Sequence, residues 1–197
     1  MSDHQFIKNY LQDFIELLQP NDESIEELVK VRNLLLEVSS KNKKVLIFGN
    51  GGSAAIASHF SVDLTKNGKL RCVNFNEASL ITCFANDYGF EHWAEKAVDF
   101  YGDEGDLLIV ISSSGRSQNM INAVKAARNG NFHSIITLSG FSEENPLKKL
   151  GDINLWVDNK SYNLPESFLR IHFPMKSLIS SQCKFLSIFA SICFNQA

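Results

Sequence analysis

The amino-acid sequence predicts an α/β fold: a three-layer α/β/α sandwich on a five-stranded parallel sheet, preceded by two N-terminal helices. Three observations carry that expectation. Short apolar runs bounded by polar residues recur from Val45 to Val157, as strands buried on both faces require. Stretches of helical periodicity separate most of these runs, which argues for parallel strands with helices on both sides. The chain has 197 residues, of which 44% are hydrophobic and 21% charged, enough to bury one substantial core.

The first forty residues read as two amphipathic helices. Ile7, Tyr10, Leu11, Phe14, Ile15 and Leu18 recur at i, i+3 and i+4 and form one apolar face. Pro20 with Asn21-Asp22 breaks the chain and starts a second helix, where Ile25, Leu28, Val31, Leu35 and Val38 repeat the pattern. Two such faces need a cover, either the chain's own domain or a helix bundle shared between subunits.

From Lys44 the rhythm changes. Val45–Phe48 reads as the first buried strand, followed by Arg71–Phe75, Asp106–Ile111, Ser134–Leu138 and Ile153–Val157. Helices over Ser53–Lys66 and Ser117–Asn129, and a short turn near Pro146–Leu150, lie between them. There is no internal repeat, low-complexity tract or Pro/Gly-rich linker. The chain is therefore read as one domain over 1–197, with helices in 1–42, an α/β core in 44–160 and an atypical segment in 161–197.

The composition excludes several classes of function. Net charge is −3 and no Lys/Arg run exceeds two residues, so the basic stripe of a general nucleic-acid binder is missing. No apolar run approaches the roughly 18 residues of a membrane span. The four cysteines, Cys72, Cys83, Cys183 and Cys193, form no CxxC pair, and the N-terminus lacks the blocks of a signal peptide. A reduced, cytoplasmic location is the expectation.

Ligands of open α/β sheets bind beyond the carboxyl ends of the strands, and two strand-end loops here are unusual. After the first strand comes Gly49-Asn50-Gly51-Gly52-Ser53-Ala54-Ala55, a loop that permits positive φ and close backbone approach before a helix N-terminus. It matches neither GxGxxG nor GxxxxGK[ST], so neither a dinucleotide nor a nucleoside triphosphate is favoured. After the third strand, Ser112-Ser113-Ser114-Gly115-Arg116-Ser117 places four hydroxyls in six residues. Hydroxyls and helix N–H groups suit a phosphomonoester held by neutral donors. Each loop also has a plain reading, the first as a tight turn and the second as a helix cap at Ser117.

These two motifs, with His59-Phe60, Ala85-Asn86-Asp87-Tyr88-Gly89-Phe90 and Gly105-Asp106 in the same order, resemble the sugar isomerase (SIS) domain family. Within it they are most similar to the phosphoheptose isomerase branch, from about Lys44 to Val157. The resemblance implies aldose–ketose isomerisation of a phosphorylated sugar, forming D-glycero-D-manno-heptose 7-phosphate from sedoheptulose 7-phosphate for surface polysaccharide. It further implies that Ser112, Ser113, Ser114 and Ser117 grip the phosphate, that Asn50, Gly51, Gly52 and Ser53 line the sugar, and that Asn86 and Asp87 lie close by. Arg116 stands where relatives usually carry Asn, either strengthening anion binding or facing solvent.

His59 and Asp63 are spaced to share a helix face. The resemblance assigns the first position to a His and the second to a Glu acting as base and metal ligand. Asp63 is one methylene shorter, about 1.5 Å of bond length. Nothing in the sequence requires a cofactor, but some relatives bind zinc through such a pair, which makes His59 and Asp63 candidate metal ligands. The resemblance also implies a homotetramer whose leading helices join in a bundle. His4, His92 and His133 have no motif support and read as structural or surface residues.

The family pattern breaks after residue 163. Relatives continue into a long helix supplying Gln or Glu and then His. Here Glu166 is a candidate for the first position, Pro174 replaces the expected His, and His172 is out of register. A proline inside a helix costs about 3 kcal/mol. Residues 163–197 hold five Phe, two Cys and only four charged side chains. Three readings stay open: a shorter helix after Pro174, a divergent segment in a sugar-phosphate binder that does not isomerise, or a shifted reading frame. The second connects to an alternative function, a non-catalytic regulatory SIS protein of the kind that binds a replication initiator.

Overall fold

The computed structural model of the chain describes residues 1–17, 19 and 21–158. Leu18 and Pro20 of the sequence reading, and everything expected of 161–197, including Glu166, His172, Pro174, Cys183 and Cys193, lie outside the described residues.

Two helices lead. The helix α1 spans Asp3–Leu17 and α2 spans Asp22–Ser40. The start of α2 is set by Asn21, whose side-chain oxygen accepts from the Ser24 N–H at 2.8 Å, with Asp22 and Glu23 complementing the positive helix end. Val31, Leu35 and Val38 of α2 are buried against the sheet. By contrast, Phe6, Ile7, Leu11 and Ile15 of α1 are each more than half exposed. Among the described residues, then, the chain's own domain covers the apolar face of α2 and leaves that of α1 uncovered.

The core alternates strands and helices: β1 Val45–Gly49, α3 Gly52–Lys66, β2 Cys72–Asn74, α4 Ala78–Tyr88, α5 Trp93–Tyr101, β3 Leu107–Ser112, α6 Gln118–Asn129, β4 Ser134–Gly140, a single 3-10 turn at Leu147–Lys149 and β5 Ile153–Val157. All pairings are parallel, and the strand order is β2-β1-β3-β4-β5. Every residue of β1, β3 and β4 is buried, which is why β1 and most of β3 read as apolar runs, while β4 also buries Ser134, Thr137 and Ser139. One face of the sheet packs on α2 and α3 through Ile56, Phe60 and Leu64; the other packs on α5 and α6 through Trp93, Met120 and Val124. The three-layer expectation holds.

Two differences from the sequence reading have physical causes. The strand expected over Arg71–Phe75 shortens to three residues because β2 is an edge strand with one neighbour. The helices α4 and α5 are not separately expected from the sequence. Neither shows the long periodic stripe of α2, and α4 buries no residue completely. Its start is fixed by Glu77, whose carboxylate accepts from the N–H groups of Ser79 and Leu80 at 3.1 and 2.8 Å.

The strand order has one consequence for ligands. From β1 the chain moves to β2 on one side, then crosses back to β3 on the other, so the direction of winding reverses at β1. The crevice between the carboxyl ends of β1 and β3 is the switch point of the sheet.

Candidate active site

Both unusual loops open onto that crevice. Gly49 pairs with Ile111 in register, so the glycine loop and the serine loop leave adjoining strand ends. This settles the neighbouring placement that the sequence could only infer.

The glycine loop is shaped by close contact on one side and open space on the other. A Cβ at Gly49 would sit 2.6 Å from the backbone of Ser53, so the first turn of α3 can pack there only against glycine. Gly51 has φ +53°, and a Cβ there would meet nothing within 4 Å. As the N-cap of α3, Gly51 presents no side chain to the helix end. Asn76 holds α3 from the side, its Nδ2 donating to the Ala54 carbonyl and the Ser58 hydroxyl, both at 2.7 Å.

The serine loop is a tight turn, with the Gly115 N–H donating to the Ser112 carbonyl at 2.9 Å. Ser112 and Ser113 are buried, and the Ser114 hydroxyl accepts from the Arg116 N–H at 3.2 Å. Arg116 itself is exposed. Ser117 is the N-cap residue of α6, but its hydroxyl makes no capping bond; it faces Ser112, with Oγ–Oγ 3.1 Å. The plain reading of Ser117 as a side-chain cap is therefore not what the structure shows. Its hydroxyl is turned to the strand-end side, beside the positive end of α6.

A contact absent from the sequence reading joins the two loops. Asn50 Nδ2 donates to Asn119 Oδ1 at 3.0 Å, and Asn119 Nδ2 donates to Asn50 Oδ1 at 2.9 Å. Asn119 is buried in the first turn of α6. Its one sequence signal is an amide standing directly before the apolar run that starts at Met120.

The remaining candidates lie around this centre. Asn86 and Asp87 end α4, with Asn86 Nδ2 donating to Asp87 Oδ1 at 2.9 Å. The link that follows is drawn toward α6 by Asn122, whose Nδ2 donates to the Glu91 carbonyl at 2.9 Å. No hydrogen bond joins Asn86 or Asp87 to either loop among the described residues. His59 and Asp63 lie six and ten residues beyond Ser53, about 9 and 15 Å along the helix axis. His59 Nε2 stands 3.3 Å from Asp63 Oδ2, with side chains 58% and 27% exposed. Asp63 Oδ1 also accepts from Asn67 Nδ2 at 2.8 Å. The pair thus shares a face as its spacing implied, on a flank of α3 leading away from the glycine loop.

As metal donors, His59 and Asp63 are two of the three or more that a protein site needs. No group of three or more His, Cys, Asp or Glu converges among the described residues. Nor is any described helix long and apolar enough to cross a membrane.

The chain is similar in sequence and fold to known proteins. Residues 9–140 match the SIS domain. A phosphoheptose isomerase of Fusobacterium nucleatum is 44% identical over 123 residues, covering 60% of this chain and 61% of that protein. The match thus spans about three fifths of that relative's length. One from Hamiltonella defensa is 33% identical over 149 residues, covering 72% of this chain and 70% of that protein. The solved phosphoheptose isomerase of Neisseria gonorrhoeae superimposes with a TM-score of 0.82 at 32% identity, covering 91% of this chain and all of that one.

Proposed function

The chain belongs to the SIS domain family, and from that premise we propose that it is an aldose–ketose isomerase of the phosphoheptose type, converting sedoheptulose 7-phosphate to D-glycero-D-manno-heptose 7-phosphate in the cytoplasm. The observation that carries this reading is the pairing of a hydroxyl-rich loop and a glycine loop, each opening a helix, across the switch-point crevice. Phosphate at the serine loop would meet Ser112, Ser113, Ser114 and Ser117 and the first-turn N–H groups of α6. The sugar would run past Asn50–Ser53 and along α3 toward His59 and Asp63. An extended seven-carbon phosphate is roughly 10 Å long, given bonds of about 1.5 Å. That length is on the scale of the roughly 9 Å of α3 axis between Ser53 and His59.

The reaction needs a base at C1, a proton donor at O2 and the reverse pair on the return path. In this reading Asp63 takes the C1 proton, the released electron pair forms C1=C2, and the carbonyl oxygen at C2 gains a proton from His59. Returning a proton to C2 while O1 loses one leaves the aldehyde at C1. The 3.3 Å contact lets the pair exchange a proton between steps. Zinc, which the family resemblance implies, would be held in part by His59 and Asp63. Among the described residues no third His, Cys, Asp or Glu joins them.

One observation favours a second reading, a sugar-phosphate-binding regulator without turnover. Asp63 is the short carboxylate and is tethered to Asn67 as well as His59, which holds it along the helix. The exposed α1 face fits a homo-oligomer, a tetramer by family resemblance, in either case.

The deciding experiment is a panel of sugar phosphates with product detection, run with and without added zinc. Conversion of sedoheptulose 7-phosphate supports the isomerase. A thermal shift with sugar phosphates but no turnover selects the regulator. Folded protein showing neither overturns both.

A further inference from the structure

We infer that Asn145 is a positioning residue for the serine loop, its buried carboxamide setting the turn at Gly115 from which the hydroxyls are aimed. The inference rests on the reading that this loop holds phosphate.

Asn145 is fully buried, in the segment linking β4 to the 3-10 turn. Its Nδ2 donates to the Ser139 hydroxyl at 3.1 Å and to the Ser142 carbonyl at 2.8 Å, and its Oδ1 accepts from the Lys148 N–H at 2.9 Å. Ser139 is the register partner of Ser112, the first residue of the loop. The carboxamide thereby locks the end of β4, the left-handed turn at Phe141 (φ +59°) and the 3-10 turn into one support.

That support meets the serine loop at three points. The Gly140 N–H donates to the Ser113 carbonyl at 3.0 Å, and the Leu147 N–H donates to the Gly115 carbonyl at 3.1 Å. Between them, the Asn145 side chain fills the space against Gly115 so closely that a Cβ there would lie 2.0 Å from Oδ1. Gly115 has φ +62°, a conformation that other residues adopt at a cost. Glycine at 115 and asparagine at 145 are thus matched: one omits a side chain where the other supplies a polar wall.

A residue that merely capped the 3-10 turn could be aspartate at little cost, since a carboxylate accepts from the Lys148 N–H equally well. A positioning residue cannot. The Asn145→Asp change would lose both donated bonds and bring negative charge behind a loop that must receive an anion.

The test uses the full chain and two probes, inorganic phosphate by calorimetry and sedoheptulose 7-phosphate by kinetics. The variants are Asn145→Asp, Asn145→Ala, Gly115→Ala and the double Gly115→Ala/Asn145→Gly, with melting curves for each. The expected result is at least about a tenfold rise in phosphate Kd and in KM for each single variant, with kcat changed less. The double variant should bind better than Gly115→Ala alone, because Oδ1, Cγ and Cβ of Asn145, which would lie 2.0, 2.3 and 2.7 Å from the new Cβ, are all removed. Should Asn145→Ala not fold, the other variants still decide. Folded Asn145→Asp with unchanged Kd and KM, or a double variant no better than Gly115→Ala, overturns the inference while leaving the functional reading intact. Wild-type chain binding neither probe overturns both.

Discussion

Asn50 and Asn119, 69 residues apart, exchange both of their side-chain amide hydrogen bonds, at 3.0 and 2.9 Å. One residue belongs to the glycine loop and the other to the first turn of the helix that follows the serine loop. The glycine and serine loops are therefore tied together across the mouth of the crevice.

Removing Asn119 should test that link. Asn119→Ala leaves Asn50 without its partner, and a stability loss on the order of 1–3 kcal/mol is expected. The double variant Asn50→Ala/Asn119→Ala should lose less than the sum of the single variants, with a coupling of at least about 0.5 kcal/mol. Urea unfolding of the four proteins measures this, and strict additivity would show that the pair is energetically idle.

The serine loop should account for phosphate affinity. Ser112→Ala and Ser114→Ala each remove a hydroxyl expected to bond a charged oxygen, worth about 1.5–3 kcal/mol. KM for the sugar phosphate should rise roughly tenfold to a hundredfold. Unchanged KM in both variants would move the phosphate elsewhere.

Asp63 should govern turnover rather than binding. Asp63→Ala is expected to lower kcat by roughly 10²- to 10⁴-fold, the usual scale for a positioned base. Asp63→Glu restores about 1.5 Å of reach and should match or exceed the native rate. Rapid turnover by Asp63→Ala would remove it from the proton path.

The exposed face of α1 should hold subunits together. Ile7→Glu or Leu11→Glu places charge on side chains that are more than half exposed in one chain, so the fold itself should tolerate the change. Light scattering after size-exclusion chromatography should report a smaller species with unchanged circular dichroism. An unaltered mass would place any interface elsewhere.

Acid should weaken the fold partly through Asp152. Burial pushes its carboxyl up. That is outweighed by the hydrogen bond from Arg128, the Ile135 N–H, the Arg128 charge and the Ser134 hydroxyl, so its pKa lies below the usual value. A depressed carboxylate contributes stability above its unfolded pKa, near 4, and loses it as pH falls through the lower folded value. The side chains of Arg128 and Asp152 are 44% and 40% exposed, so the contribution should stay below about 1 kcal/mol. Wild type should be more stable than Asp152→Asn at pH 7, with a gap that begins to shrink as pH falls below about 4. A gap independent of pH would rule the linkage out.

Residues near one another in the chain are legible from their pattern. Buried strands such as Leu107–Ser112 are nearly uniform in hydrophobicity, and a helix start such as Asn21 is chosen by bonds three residues away, so elements and strand-end loops can be located from local chemistry. The Asp63 and His59 pairing is likewise local, one turn of helix apart. Other features are not local. That Asn119 meets Asn50 and that Asn145 backs Gly115 depend on strand order and register. An Asn in a polar loop has the same pattern whether its amide meets solvent or a residue 69 positions away. The chain's own chemistry selects the elements and the two unusual strand-end loops. Closing the sheet in the order β2-β1-β3-β4-β5 selects which loops meet, and among the described residues it leaves the apolar face of α1 without cover.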